Sequence, residues 1–256
     1  MISPSEKVQT LERGNIYFIY QPRVEQEQVE SARDVQRLYM VLAPHGKQVY
    51  RLAVLGRKKL PEPEREGRQR YWGFIDAVEK DAQRIEDEFD PETYKTKTRG
   101  EREVPPARPA GEGIYRIVRH EDHTHLIYAL ELPGKPGKVQ DELNIESEAS
   151  YIIQIKNPQR GAPQAPGLDE DRQAEYPKKL QDRFEDRKFY DADPPDFLDY
   201  AGTEFLLISA AEDVKEELGI DLDPQKETED TAEIFNDLRM ERSEHPTKPL
   251  LKGEWE

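Results

Sequence analysis

The sequence contains no cysteine among its 256 residues. That absence excludes disulfide cross-links, thiolate zinc sites, iron–sulfur clusters and a cysteine nucleophile. No run approaches the roughly 18 apolar residues of a membrane span, so we expect no membrane partner. The first residues also lack the basic segment and apolar run of a secretory signal. These absences together predict a cytoplasmic protein.

Apolar residues are scarce and charged residues abundant, at 35% and 36% of the chain. Both values depart from those of compact domains, so we expect long polar loops. The net charge of −16 opposes binding to nucleic acid, which we do not expect as a partner. The charge is uneven, because residues 47–119 hold 17 Lys and Arg against 14 Asp and Glu. Their net of +3 indicates either an ordinary solvated mixture of charges or a locally basic surface.

The familiar sequence signatures of catalysis are missing as well. There is no Walker loop, no Gly-x-Gly-x-x-Gly, no Gly-x-Ser-x-Gly and no His-Glu-x-x-His. Four aspartates between residues 191 and 199 could coordinate a hard cation, but acidic loops of this kind are usually just solvated. We therefore predict no metal site and no cofactor, and we expect the protein to fold without metal.

What the sequence does contain is a series of β-branched and aromatic segments bounded by turn residues. They predict strands over residues 15–20, 37–43, 49–55, 71–75, 114–120, 124–130, 151–155 and 204–208. Helical spacing of apolar residues predicts helices over 78–89 and 211–218, the second closed by Gly219. The resulting fold class is α+β, with mostly antiparallel, barrel-like lobes and a few short helices.

Composition also predicts a division of the chain. Residues 1–91 form an N-terminal lobe, and the proline-containing stretch 92–112 is a linker. Residues 113–220 form a second lobe with a long polar loop over 159–200, and residues 221–256 form an acidic tail. The alternative is one continuous domain. Apolar residues near the end of the tail either pack onto the core or dock a protein partner.

Three of the five histidines lie close together at a predicted hairpin turn. If His120 opposes His125, the two imidazoles share one face with Arg116 and Glu131, and the large apolar residues collect on the other face. A three-residue loop over 121–123 would instead place the two histidines on opposite faces. We expect the first register, which gives four candidate catalytic residues, and the alternative is that the polar face is simply solvated.

A local resemblance covers residues 13–57. The segment Arg13-Gly14-Asn15-Ile16-Tyr17-Phe18 and the strand from Gln36 to Leu42 resemble the opening of the MazF/PemK toxin family. That family consists of small SH3-like barrels that cut RNA with an arginine and a hydroxyl residue, and the resemblance implies that Arg37 takes the arginine position. The chain departs from the family pattern where Leu38 replaces a proline.

These observations favour a non-enzymatic binding or accessory protein. The alternative is an enzyme that acts on RNA or another phosphate-bearing substrate, so whether the protein is an enzyme stays open. Convergence of the candidates in one cleft would favour the enzyme, and scatter would favour the binding protein. The candidate anion-binding residues are Arg57, Lys58, Lys59, Lys95, Lys97 and Arg99.

Overall fold

The computed structural model describes residues 8–63, 69–98, 100–160 and 167–256, so Arg99 lies outside the described residues. Strands dominate it. They are β1 Val8–Pro22, β2 Val35–Pro44, β3 Tyr50–Leu55, β4 Arg70–Glu79, β5 Glu92–Thr96, β6 Gly100–Val104, β7 Arg108–His120, β8 His123–Leu132, β9 Glu148–Lys156, β10 Phe189–Asp191 and β11 Glu204–Ala211. The helices are α1 Ala82–Glu86, α2 Lys138–Leu143, α3 Lys178–Gln181, α4 Val214–Leu218, α5 Ile234–Asp237 and α6 Lys248–Lys252.

Eight antiparallel strands close into a barrel. Their order is β9-β11-β4-β3-β2-β1-β7-β8, and β8 pairs back onto β9. Strand β10 pairs with the last residues of β9, beyond the point where β8 ends, and β5 and β6 form a separate hairpin. The prediction of mostly antiparallel sheet is confirmed, although the barrel is mainly β and the helices are short.

Side chains alternate between the barrel interior and its outer face with the period of two that a strand imposes. On β1, Ile16 and Phe18 belong to the interior cluster, whereas Tyr17 and Ile19 belong to a second apolar cluster. All four are buried. Residues 16–19 are a continuous apolar run in the sequence because both faces of the strand are buried in apolar clusters.

The second cluster is covered largely by the C-terminal region. Ile234, Leu238 and Leu250 are fully buried against the outer face of β1, β2 and β3. Trp255 lies 5.3 Å from Tyr20, measured between ring centroids. The apolar residues of the predicted tail therefore pack onto the chain's own barrel, and a protein partner for the tail stays a prediction.

The predicted linker over 92–112 contains ordered strands. It holds β5, β6 and the first residues of β7. Pro109 is tolerated in β7 because it lies at a register shift, opposite Ile19 of β1. Since β1 pairs with β7 and β4 pairs with β11, one sheet runs across the predicted division into lobes.

The two predicted helices have different outcomes. The segment 78–89 is helical only in α1, because β4 continues to Glu79 and the Asp81 carboxylate caps the helix by accepting from the backbone N–H of Gln83. Helix α4 ends at Gly219 in the left-handed conformation, as predicted, with φ of 67°. None of the helices in the described ranges has the length and apolar character that crossing a membrane requires.

Candidate functional site

The histidine hairpin has a different register from the predicted one. A two-residue turn pairs His120 with His123 and Val118 with His125, so the predicted pairing of His120 with His125 is wrong. The observed register differs from the predicted one by two positions on one strand, and a slip of two preserves the faces. His120 and His125 therefore share a face, with their ring centroids 5.9 Å apart.

This face is covered rather than open. Helix α4 packs on it through Val214 and Leu218, which join an apolar cluster with Val118 and Ile127. His125 is buried, its Nδ1 lies 3.0 Å from the Ser150 hydroxyl, and the Glu217 carboxylate is 4.0 Å away. These contacts give His125 a structural role between β8, β9 and α4.

The other candidates on this hairpin do not converge on the histidines. Glu131 lies six residues beyond His125 on β8, which corresponds to roughly 20 Å of strand. Its carboxylate accepts a hydrogen bond of 2.6 Å from the backbone N–H of Gln225, and burial raises its pKa. Arg116 faces the same side as His120 but lies four residues away along β7.

Arg37 lies at the opposite end of the barrel from the histidines. It pairs with Gln21 near the end of β1, whereas His120 pairs with Val8 at the start of the same strand. The Arg37 guanidinium is exposed and donates to the Tyr39 hydroxyl at 3.4 Å, which raises the pKa of Arg37. The structure thus does not assemble Arg37 and His120 into one site.

The basic candidates are scattered too. Lys58 donates to the backbone carbonyl of Val35 at 2.9 Å, and burial lowers its pKa. Lys95 lies 3.6 Å from Glu101 within the β5–β6 hairpin. Lys59 is half-buried and Lys97 is exposed. Among the anion-binding candidates within the described residues, Arg57 is the one that lines a cavity on the outer face of β4.

An unpredicted charge cluster closes one end of the barrel. Arg51 lies on the inward side of β3, fully buried, where Glu12 accepts from it at 2.5 and 2.9 Å and Asp199 at 2.7 Å. The Tyr115 hydroxyl also donates to Glu12, at 2.8 Å. Burial alone would lower the pKa of Arg51, but its hydrogen bonds and attraction to Glu12 raise it. Every charge here is paired internally, so the cluster is structural.

A cavity with a volume of about 470 Å³ lies on the outer face of β4. We call it the anion cavity. Arg57 and Arg70 stand at it with Trp72, and Gly167 and Leu168 form its other wall. Arg70, Trp72 and Phe74 alternate along β4, so all three face outward. This volume suits a small ligand.

The two arginines of the anion cavity are available to a ligand. Arg57 stacks on the Tyr71 ring at 5.3 Å from its centroid. Within the described ranges no carboxylate lies within ion-pair distance of either guanidinium. Among the described residues of the wall the one acid is Glu204, which is buried and neutralised by Lys156 at 2.5 Å. The cavity therefore carries excess positive charge beside aromatic rings.

The Lys156–Glu204 pair also fixes the wall of the cavity. The second carboxylate oxygen of Glu204 accepts the backbone N–H of Leu168 at 3.0 Å. Gly167 stands against the pair, because a Cβ there would lie 3.0 Å from the Lys156 ammonium. Arg57 is among the residues predicted from the sequence, whereas Arg70 and Trp72 are not. Trp72 lies within the predicted strand over 71–75 and Arg70 directly precedes it, so a strand beginning one residue earlier would have placed both on one face.

Within the part of the chain that the structure describes, one group of side chains could hold a metal. Glu86, Asp90, Glu244 and His245 each offer a ligand atom, and these atoms lie within 4.8 Å of one another. None of the four belongs to the candidates taken from the sequence.

No family model, curated protein or solved structure matches this chain. Its function has to be inferred from the fold and the side-chain geometry alone.

Proposed function

We propose that this chain is a non-enzymatic binding protein for a small phosphate-bearing molecule with an aromatic ring, such as a nucleotide. The observation that carries the proposal is the anion cavity, whose lining combines Trp72 with two arginines that have no acidic partner among the described residues. Arginine binds phosphate through paired N–H donors, and aromatic side chains stack on bases. A cytoplasmic location belongs to the same proposal.

The scatter of the candidate catalytic residues supports binding over catalysis. Arg37 and His120 stand at opposite ends of β1, and His125 is covered by α4. General acid–base catalysis needs its groups within hydrogen-bond reach of one reacting centre. The alternative of an RNA-cleaving enzyme lacks such a centre among these residues.

Intrinsic fluorescence tests the proposal directly, because the chain has two tryptophans. In a Trp255→Phe variant, Trp72 is the sole reporter, and we expect AMP to change its emission in a saturable manner. Adenosine and inorganic phosphate should each bind more weakly than AMP, because each offers half of the contacts. Added salt should weaken AMP binding.

Two substitutions identify the arginines. Arg57→Gln and Arg70→Gln should each weaken AMP binding by about tenfold or more, since a hydrogen bond to a charged group contributes about 1.5–3 kcal/mol. Arg33→Gln, at an exposed arginine away from the cavity, is the matched control and should leave AMP binding unchanged. Failure of AMP to alter Trp72 emission below about 1 mM would refute the proposal. Turnover of AMP or RNA would restore the enzyme alternative.

A further inference from the structure

The strongest unassigned group in the molecule joins α1 to the C-terminal region. Glu86 ends α1 and Asp90 follows it by four residues, while Glu244 and His245 lie between α5 and α6. Four potential ligand atoms from two distant parts of the chain thus meet within 4.8 Å. The group shares no residue with the anion cavity.

The position and contacts of His245 suit a metal ligand. Its ring is fully buried, and its Nδ1 lies 2.8 Å from the backbone carbonyl of Ala107. A carbonyl can only accept, so Nδ1 carries a hydrogen and Nε2 is the ring nitrogen that faces the carboxylates. Nε2 has no hydrogen-bond partner among the described residues. Metal-bound histidines commonly use their second nitrogen in this way.

The carboxylates have matching features. Glu86 Oε1 lies 3.6 Å and Asp90 Oδ1 lies 3.9 Å from His245 Nε2. The Gln83 amide donates to Glu86 Oε2 at 2.6 Å, which orients the other oxygen toward the histidine. Asp90 Oδ1 is buried and accepts no hydrogen bond from the part of the chain that the structure describes.

We propose that Glu86, Asp90, Glu244 and His245 bind a divalent transition-metal ion, and that Zn²⁺ is the ion that fits them best. Four donors with one imidazole suit a tetrahedral zinc site, whereas magnesium and calcium prefer oxygen ligands alone. Bonds of about 2.1 Å place neighbouring ligands about 3.4 Å apart, close to the 3.6 and 3.9 Å that separate His245 Nε2 from the Glu86 and Asp90 oxygens. Exposed Glu244 leaves the ion a route from solvent.

The ion would fasten the C-terminal region to the barrel. The barrel has its own apolar core, so the metal-free chain remains folded and metal adds stability by binding the folded state. The proposal therefore predicts a rise in Tm with Zn²⁺ and slower hydrogen exchange around residues 241–252. Mg²⁺ should produce neither effect.

The experiment titrates the EDTA-treated full chain with Zn²⁺, and with Co²⁺ for its visible absorption spectrum. One ion per chain should bind, and Glu244→Gln and Asp90→Asn should each weaken zinc binding by at least about tenfold. Glu241→Gln, in the same exposed segment, is the matched control and should bind zinc normally. His245→Gln should abolish binding, with circular dichroism checking its fold.

The histidine hairpin is the competing zinc site, so His123→Gln is included. Equal affinity in Glu244→Gln, Asp90→Asn and Glu241→Gln would overturn the proposal. Loss of zinc binding in His123→Gln alone would also overturn it and assign the ion to the hairpin. Equal stabilisation by Mg²⁺ would overturn it as a general charge effect. These outcomes are independent of AMP binding, so they separate this site from the proposed function.

Discussion

Arg51 is a buried cation whose neighbours tolerate it only as part of a complete cluster. Glu12 and Asp199 together neutralise it at the end of the barrel interior. Removing one member of a buried ion pair is costlier than never having had the pair, because the remaining charge keeps its desolvation penalty without its partner. The residue therefore determines whether this end of the barrel stays closed.

Substitution Arg51→Met should lower the free energy of unfolding by about 3–5 kcal/mol. The methionine fills much of the space but leaves Glu12 and Asp199 only the half-exposed ammonium of Lys47, at 3.9 and 3.2 Å, as a cationic partner among the described residues. Arg84→Met, at an exposed arginine 3.9 Å from Glu79, should cost less than about 1 kcal/mol. Urea unfolding measures both, and equal effects would show that the cluster contributes little.

Glu112 is a second buried group with consequences for stability. It is 1% exposed and accepts the backbone N–H groups of Glu233 and Ile234 at 3.1 and 2.9 Å. Burial, and then the neighbouring Glu227, raise the pKa of Glu112 to about 9. Between its unfolded pKa and this value, the folded chain holds a proton that the unfolded chain releases.

Stability should therefore fall as pH rises from about 4.5 toward about 9, because the folded state binds more protons in this window. Glu112→Gln, which cannot ionise, should flatten this part of the profile. Asp122→Asn, at an exposed turn residue, should leave it unchanged. Urea unfolding at several pH values measures the slope, and a Glu112→Gln profile as steep as the parent's would contradict the assignment.

At the residue scale, the sequence indicated which residue types could act in a site but not which distant residues meet in one. Arg57 was identified from local charge, whereas the partnership of Glu86 with His245 joins positions 159 residues apart. Periodicity describes neighbours along one element, so it carries no information about which distant elements meet. Arg51 was overlooked because it occurs within an apolar strand, where sequence patterns do not reveal a buried counter-ion.

At the scale of elements, strands were predicted well where their apolar runs were continuous. All eight strands of the barrel overlap predicted strands, since both faces of most of them are apolar. Strands β5 and β6 were missed because their side chains are mainly exposed and polar. For the histidine hairpin, the faces were predicted correctly and the register was not. Burial of apolar residues excludes a register shifted by one residue, which would exchange the two faces of the strand. It does not exclude a register shifted by two residues, which preserves the faces.

Close strand packing makes Gly113 sensitive to any side chain. A Cβ there would lie 2.1 Å from the backbone oxygen of Ala129 and 2.8 Å from the Cα of Leu130. Gly113→Ala should lower the free energy of unfolding by about 1–3 kcal/mol, since β7 and β8 must separate. Gly134→Ala, where no described atom lies within 4 Å, is the control. Chemical denaturation compares the two, and equal stability would show that the strands yield easily.

At the scale of the whole molecule, closure of the barrel could not be predicted from the sequence pattern. Each strand pattern was visible, but the pairing of β4 with β11 and of β1 with β7 depends on contacts between distant segments. The division into lobes was based on local composition, and the prolines near residue 109 suggested a linker where the structure has a register shift.

Because one sheet connects both halves, we expect the chain to unfold in a single transition. Trp72 reports on β4 and Trp255 on the C-terminal region. Urea transitions of Trp255→Phe and Trp72→Phe, each monitored through the remaining tryptophan and by circular dichroism, should coincide within each variant. Separate fluorescence and dichroism transitions would support two independent lobes.

The pairing of β4 with β11 has a consequence for how the protein is made. Phe74 and its partner Glu204 lie 130 residues apart, so β4 waits for its neighbour while the intervening chain is synthesised. At about 5–20 residues per second, that wait lasts on the order of ten seconds. During it, the nascent chain has strands whose apolar faces await β11 and the C-terminal region. The ribosome-bound intermediate should therefore be a better chaperone client than the finished barrel.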